Sequence, residues 1–192
     1  MNGKLVEEFN TSVALTTRTK FGIYCLGFGS ILLISGLTDI LGVVSTAAAL
    51  GGWNRVALLL LAGLVLTPVL HEGMHGLFFW VFSRKANFGI QLKTWMGLVF
   101  WASSFGSLIP RVKFQIIALA PQILTVVFLL VIIFASLPNT VNYVLLLISA
   151  LNLGGGCFDI YGVTWLQHFP KYYLVEDTKE GCRVFAPQRG GK

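Results

Sequence analysis

His71, Glu72 and His75 form the run HEGMH inside an apolar stretch that extends from about Val56 to Phe82. An ionisable side chain at membrane depth is costly and by default marks a functional site. A helix advances about 100° per residue, so His71 and His75 fall about 40° apart and one turn along the axis. The two imidazoles can therefore grip one metal ion. Glu72 is offset by about 100° from His71, so its carboxylate reaches a water on the ion rather than the ion, where it can serve as general base. Zinc lowers the pKa of such a water to about 7, and amide hydrolysis is the chemistry that this set suits. Either histidine alone is explained more simply as a packing residue bonded to a backbone or hydroxyl partner. All three together need partners in a low dielectric, and a metal satisfies them jointly.

Catalytic zinc usually takes three protein ligands and a water, so the motif must be completed from elsewhere. Asp159, in the run NLGGGCFDIYG, is the other carboxylate well inside an apolar stretch. Its depth along the fourth stretch matches that of His75 along the second at 1.5 Å per residue. His168, just beyond that stretch and beside Phe169 and Pro170, is the reserve ligand. Asp39 is expected toward the outer end of the first stretch, and Glu176, Asp177 and Glu180 in a tail. Cys157 is either a soft fourth ligand or a small buried hydrophobe. Asn152 lies seven residues before Asp159, about 20° away around a helix. Its amide either bonds a substrate backbone or developing oxyanion, or makes an interhelical hydrogen bond. Gly154, Gly155 and Gly156 allow close helix approach or a local opening of the backbone.

The elements that must position these residues follow from hydropathy. Apolar residues make up 55% of the 192-residue chain and charged residues 11%, the composition of an integral membrane protein. Four spans of bilayer length are expected: Phe21 to about Val44, Val56 to Phe82, Phe114 to Ala135 and Val141 to about Leu166. The expected fold is all-α, with four transmembrane helices. The organisation expected is a cytoplasmic segment over 1–20, a membrane core over 21–168 and a cytoplasmic tail over 169–192. The first apolar run is long enough to span and reads as a retained helix rather than a cleaved signal. Lys4, Arg18 and Lys20 precede it, five basic residues from Arg84 to Lys113 lie between the second and third spans, and Lys171, Lys179, Arg183, Arg189 and Lys192 follow the fourth. The two remaining loops hold only Arg55, so the Lys/Arg bias places both termini in the cytoplasm of a multi-pass cell-membrane protein. The net charge of +6 is thus a topology signal, and no recognition motif supports nucleic-acid binding. Cys25, Cys157 and Cys182 form no CxxC pair and no disulfide framework.

Between the second and third spans, residues from Phe88 to Lys93 alternate in polarity, and the apolar run from Gly97 to Ala102 can pair with them. This short membrane-associated β-hairpin-like segment is either an edge that holds a substrate strand extended or an aromatic interfacial anchor. Pro121 interrupts the third span, freeing a carbonyl and kinking the helix. In the tail, Tyr172 to Val175 can pair with Arg183 to Ala186, a hairpin that would be marginal alone.

HEGMH in one span, with an Asp preceded by Asn and glycines in a later one, resembles the membrane-embedded zinc metalloproteases of the site-2 protease group. The chain is more similar still, from about Pro68 to Pro187, to the zincin-peptidase family of small bacterial integral membrane proteins. The resemblance implies zinc held by His71, His75 and Asp159, with Glu72 as catalytic base and a membrane-bound protein as substrate. One departure stands out: the site-2 group commonly has Asp-Gly at the third ligand, whereas Asp159 is followed by Ile160 and Tyr161. No PDZ-like insert is visible. The function expected is that of an intramembrane zinc metalloendopeptidase cutting near the cytoplasmic face. The rivals are a zinc-binding sensor or scaffold without turnover and a cation transporter using His71, His75, Asp159 and Asp39.

Overall fold

The computed structural model describes residues 3–10, 22, 25, 27, 29, 36, 51–93, 97–178 and 181–187. Among them three helices are long and apolar enough to cross a membrane: Ala57–Ser83, Arg111–Phe134 and Asn139–Leu166. They coincide with the second, third and fourth expected spans. The first, Phe21 to about Val44, lies outside the described residues apart from Gly22, Cys25, Gly27, Gly29 and Gly36, each of them helical.

Strand β1 (Gly3–Asn10) is followed by helix α1 (Trp53–Ser83), strands β2 (Asn87–Lys93), β3 (Gly97–Ser103) and β4 (Ile109–Pro110), and helix α2 (Arg111–Phe134). Helices α3 (Asn139–Gly155) and α4 (Cys157–Leu166) share the last apolar stretch, and strands β5 (Leu174–Thr178) and β6 (Gly181–Pro187) close the chain. Helix α3 stops where three glycines weaken it: Gly156 caps the helix, with its N–H on the Asn152 carbonyl.

The expectation of an all-α fold with one hairpin-like segment is corrected by a second, larger sheet among the described residues. Strands β2 and β3 form the expected hairpin, in the register Phe88↔Ala102 to Leu92↔Leu98. The second sheet has four strands in the order β1-β6-β5-β4. The tail pair β5–β6, marginal by itself, gains β1 on one side and β4 on the other, which together bury a shared apolar face.

Two compact units divide the chain. One comprises Met1–Phe21, Glu72–Ala120 and Asp159–Lys192, and contains both sheets. Its interior includes Phe79, Phe114, Ile117, Val163, Leu166, Val175 and Val184. Phe9 of β1 packs against Tyr161 and Trp165 of α4, with ring centroids 5.8 and 5.0 Å away. Buried Arg111 turns its Nη1 onto the carbonyls of Leu166, Gln167 and Phe169, satisfying orphan acceptors at the end of α4. The other unit, Gly22–His71 and Pro121–Phe158, is helical wherever it has regular structure among the described residues. It is centred on Ile132, Leu146 and Ala150 with Leu129, Leu145 and Leu153 around them. The boundary between units falls inside the unbroken helix α1, between His71 and Glu72.

Along α1 the side chains of Leu58, Leu61, Leu64, Val65, Val69, Leu77 and Trp80 are all more than half exposed, while His75 and Phe79 are buried. A helix that turns apolar residues outward and a histidine inward has the polarity expected in lipid, where polar groups face the protein.

Candidate metal centre

Helix α1 places His71 one turn before His75, as their four-residue separation requires. Asp159, in the first turn of α4, brings its Oδ2 to 3.6 Å from His75 Nε2. The candidate ligand atoms of His71, His75 and Asp159 all lie within 4.8 Å of one another. Two donors on a tetrahedral zinc with bonds of about 2.0 to 2.1 Å stand about 3.3 Å apart, so a separation of 3.6 Å suits two ligands of one ion.

The hydrogen bonds of the imidazoles fit a metal as well. His75 Nδ1 lies 2.9 Å from the Ile117 carbonyl, which can only accept, so Nδ1 carries a proton and, in the neutral ring that a metal binds, Nε2 holds the lone pair. His71 Nδ1 lies 2.9 Å from Asn152 Oδ1. The orientation of that amide is fixed, because Asn152 Nδ2 donates to the Pro121 carbonyl and to Thr125 Oγ1, both at 2.8 Å. Asn152 Oδ1 is therefore the acceptor, and His71 too is the Nδ1–H tautomer with its lone pair on Nε2. Ligating histidines characteristically have the second nitrogen bonded to a carbonyl or carboxylate in this way.

Glu72 stands outside the ligand group, as a base acting on water requires. Its Oε2 accepts the backbone N–H of Ala102 at 2.6 Å. Because that N–H points to α1, the pair Phe88↔Ala102 is of the wide type and Ala102 lies on the outer edge of β3. The hairpin approaches α1 where Gly76 follows the second histidine; a Cβ there would collide with the Phe88 ring. Ser83 Oγ of α1 and Ser104 Oγ, just after β3, share a hydrogen bond of 2.6 Å.

The other candidates fall elsewhere. His168 is exposed with its Nδ1–H on the Trp165 carbonyl, 2.9 Å away, and is not in the ligand group. Cys157 turns its thiol to the Leu153 carbonyl, 3.6 Å away, and is not in that group either. Asp39 and Glu180 lie outside the described residues, and Glu176 is paired with Arg183. Asn152 is 1% exposed and has both N–H donors and its carbonyl oxygen engaged, which leaves no donor for an oxyanion.

Two features are absent from the sequence reading. Pro121 was expected to free a carbonyl, but that the His75 ring takes it could not be read from the chain. Asp177, expected only in the tail, lies on the β5–β6 face that carries Val175, Cys182 and Val184. Burial lifts its carboxyl from 3.8 to about 7, the neighbouring Ser103 hydroxyl pulls the other way, and the charges of His75, Glu72 and Asp159 also act on it. A period-two reading of Leu174 to Thr178 sets Asp177 on the same face as Val175, the one signal that could have found it.

No curated protein and no solved structure matches the chain. One sequence family does match, over residues 64–174, a stretch that starts seven residues before His71 and runs past Asp159 into β5. Its description is "Putative zincin peptidase". That stretch is more than half of the chain and contains HEGMH, the hairpin, α2, α3 and Asp159, so the chain belongs to this family of zincin-type peptidases.

Proposed function

We propose that this protein is an intramembrane zinc metalloendopeptidase, related to the site-2 protease group, that cleaves a membrane-bound protein near the cytoplasmic face. The observation that carries this reading is the convergence of two Nε2 lone pairs and the Asp159 carboxylate beside a glutamate that is not itself a ligand. His71, His75 and Asp159 would hold the ion. Zinc bound there would supply a Lewis acid that polarises the scissile carbonyl and lowers the pKa of a water.

The remaining work falls to the chain. Glu72 accepts the proton of the attacking water and returns it to the leaving amine. With Oε2 anchored on the Ala102 N–H, the carboxylate cannot swing away between the two transfers. Asn152 and the Ile117 carbonyl fix the two imidazole rings. A helical substrate hides its carbonyls behind intrahelical bonds, so it must be held extended, and the outer edge of β3 beyond Ala102 offers backbone groups for that. The three apolar helices and the exposed apolar face of α1 support a substrate that shares the bilayer. The Lys/Arg bias supports termini, and a cut, on the cytoplasmic side.

The test is Glu72→Gln. It should retain stoichiometric zinc and lose cleavage, so that in membrane proteomics a protein cut in the wild type accumulates whole. Continued proteolysis by this variant would refute the mechanism. Stoichiometric zinc with no substrate accumulating in the variant would favour a sensor or scaffold.

A further inference from the structure

A proline inside a helix cannot donate to the carbonyl four residues earlier. Pro121 lies inside α2, and the carbonyl it leaves without that donor belongs to Ile117. It is this oxygen that accepts the Nδ1–H of His75 at 2.9 Å. Ile117 is 1% exposed, so the freed carbonyl has little access to solvent and its partner must come from the protein.

We propose that Pro121 is a positioning residue for the metal: by withholding an N–H it keeps the Ile117 carbonyl for His75, and so fixes that ring as the tautomer whose Nε2 faces the ion. The inference rests on the metal-binding part of the proposed function and not on turnover. A helical N–H at position 121 would lie along the helix axis and draw the Ile117 oxygen into the regular ladder. The imidazole would then share its acceptor and lose both its preferred tautomer and its fixed orientation. Loss of such an outer partner typically weakens metal binding by about 10- to 100-fold.

The test uses the full-length protein in detergent and reads zinc affinity by competition with a chelating dye. Pro121→Ala restores the missing donor and should bind zinc about tenfold more weakly, while its metal-free form melts no lower than the wild type, because the helix regains a bond. In the same metal-free protein, at a pH high enough to keep the ring neutral, nitrogen-15 spectra of labelled histidine should show the His75 ring, assigned by its loss in His75→Asn, change from a pure Nδ1–H form to a mixture. Replacing Pro121 by lactic acid, which places a backbone ester there and no N–H, should leave zinc affinity and tautomer as in the wild type. If Pro121→Ala does not fold, Pro121→Ser carries the same N–H and is read the same way. Wild-type affinity and an unchanged His75 tautomer in Pro121→Ala would overturn the inference. So would equal weakening by the ester form, which would assign the effect to ring packing. A wild-type protein that binds no zinc would instead sink the metal reading itself, and the nitrogen spectra would still decide the role of Pro121.

Discussion

His71 and His75 stand one turn apart on α1, yet the two regions that hold them work differently. His71 belongs to the unit with only helices among its described elements, and it is held by a side chain, the Asn152 amide, which is itself locked by Pro121 and Thr125. His75 belongs to the unit that contains both sheets, and it is held by the main chain, through a carbonyl that a proline has released. A side-chain partner can be deleted by one substitution. A main-chain partner cannot; it can only be diverted by giving it a competitor. The same contrast marks the glutamate between them, whose anchor is also a backbone group, the Ala102 N–H.

This difference orders the expected effects. Glu72→Gln should be the most severe for turnover, about 10²- to 10⁴-fold on cleavage with zinc retained, since it removes the base and neither holding device. Next comes Asn152→Ala, which removes the oxygen that the Nδ1–H of half-buried His71 meets. Zinc affinity should fall by about 10- to 100-fold in a competition titration, and by more than in Pro121→Ala, where the partner of His75 is diverted and not deleted. Equal effects of the two would erase the distinction between deleting and diverting.

Ala102→Pro removes an N–H that points away from β2, a position at which a strand tolerates proline. The hairpin and the zinc content should survive, while kcat falls about tenfold with KM little changed, because only the aim of Glu72 is loosened. A rise in KM at unchanged kcat would assign Ala102 to substrate docking instead.

The smallest effect concerns Asp177, which touches neither histidine in sequence. In the metal-free protein its carboxyl titrates near 7 when folded against 3.8 when exposed, so the native state holds the proton more tightly. Its contribution to stability is therefore fully present below about pH 4 and is lost as pH rises toward 7. Asp177→Asn should flatten that slope and raise the thermal midpoint by a few degrees at about pH 8, with little change at about pH 4. A midpoint that drops equally at both pH values would show that the side chain serves packing alone.

Much of the site was legible in the chain because its determinants are local. The spacing of His71 and His75 fixes their common face on any helix, and apolar length fixes three of the spans. Depth along two such helices put Asp159 ahead of His168 without excluding the latter; the carboxylate lies 3.6 Å from His75 Nε2. Alternation from Phe88 to Lys93 pointed to the hairpin, and its register follows only from the fold. The glycines before Cys157 marked the place where the last stretch breaks into α3 and α4.

Other features needed the folded chain. Strand β1 pairs with β6 across nearly the whole sequence, and nothing local in Gly3–Asn10 names its partner. Pro121 told which carbonyl is released, but not that an imidazole would claim it. Asn152 could equally have faced a substrate, and only the positions of Pro121 and Thr125 commit its donors. Side-chain type and period set which groups can ligate or donate, because those are properties of residues and of a regular helix. The partner that each group receives depends on which backbone atoms are brought within about 3 Å by distant segments, and that is a property of packing alone.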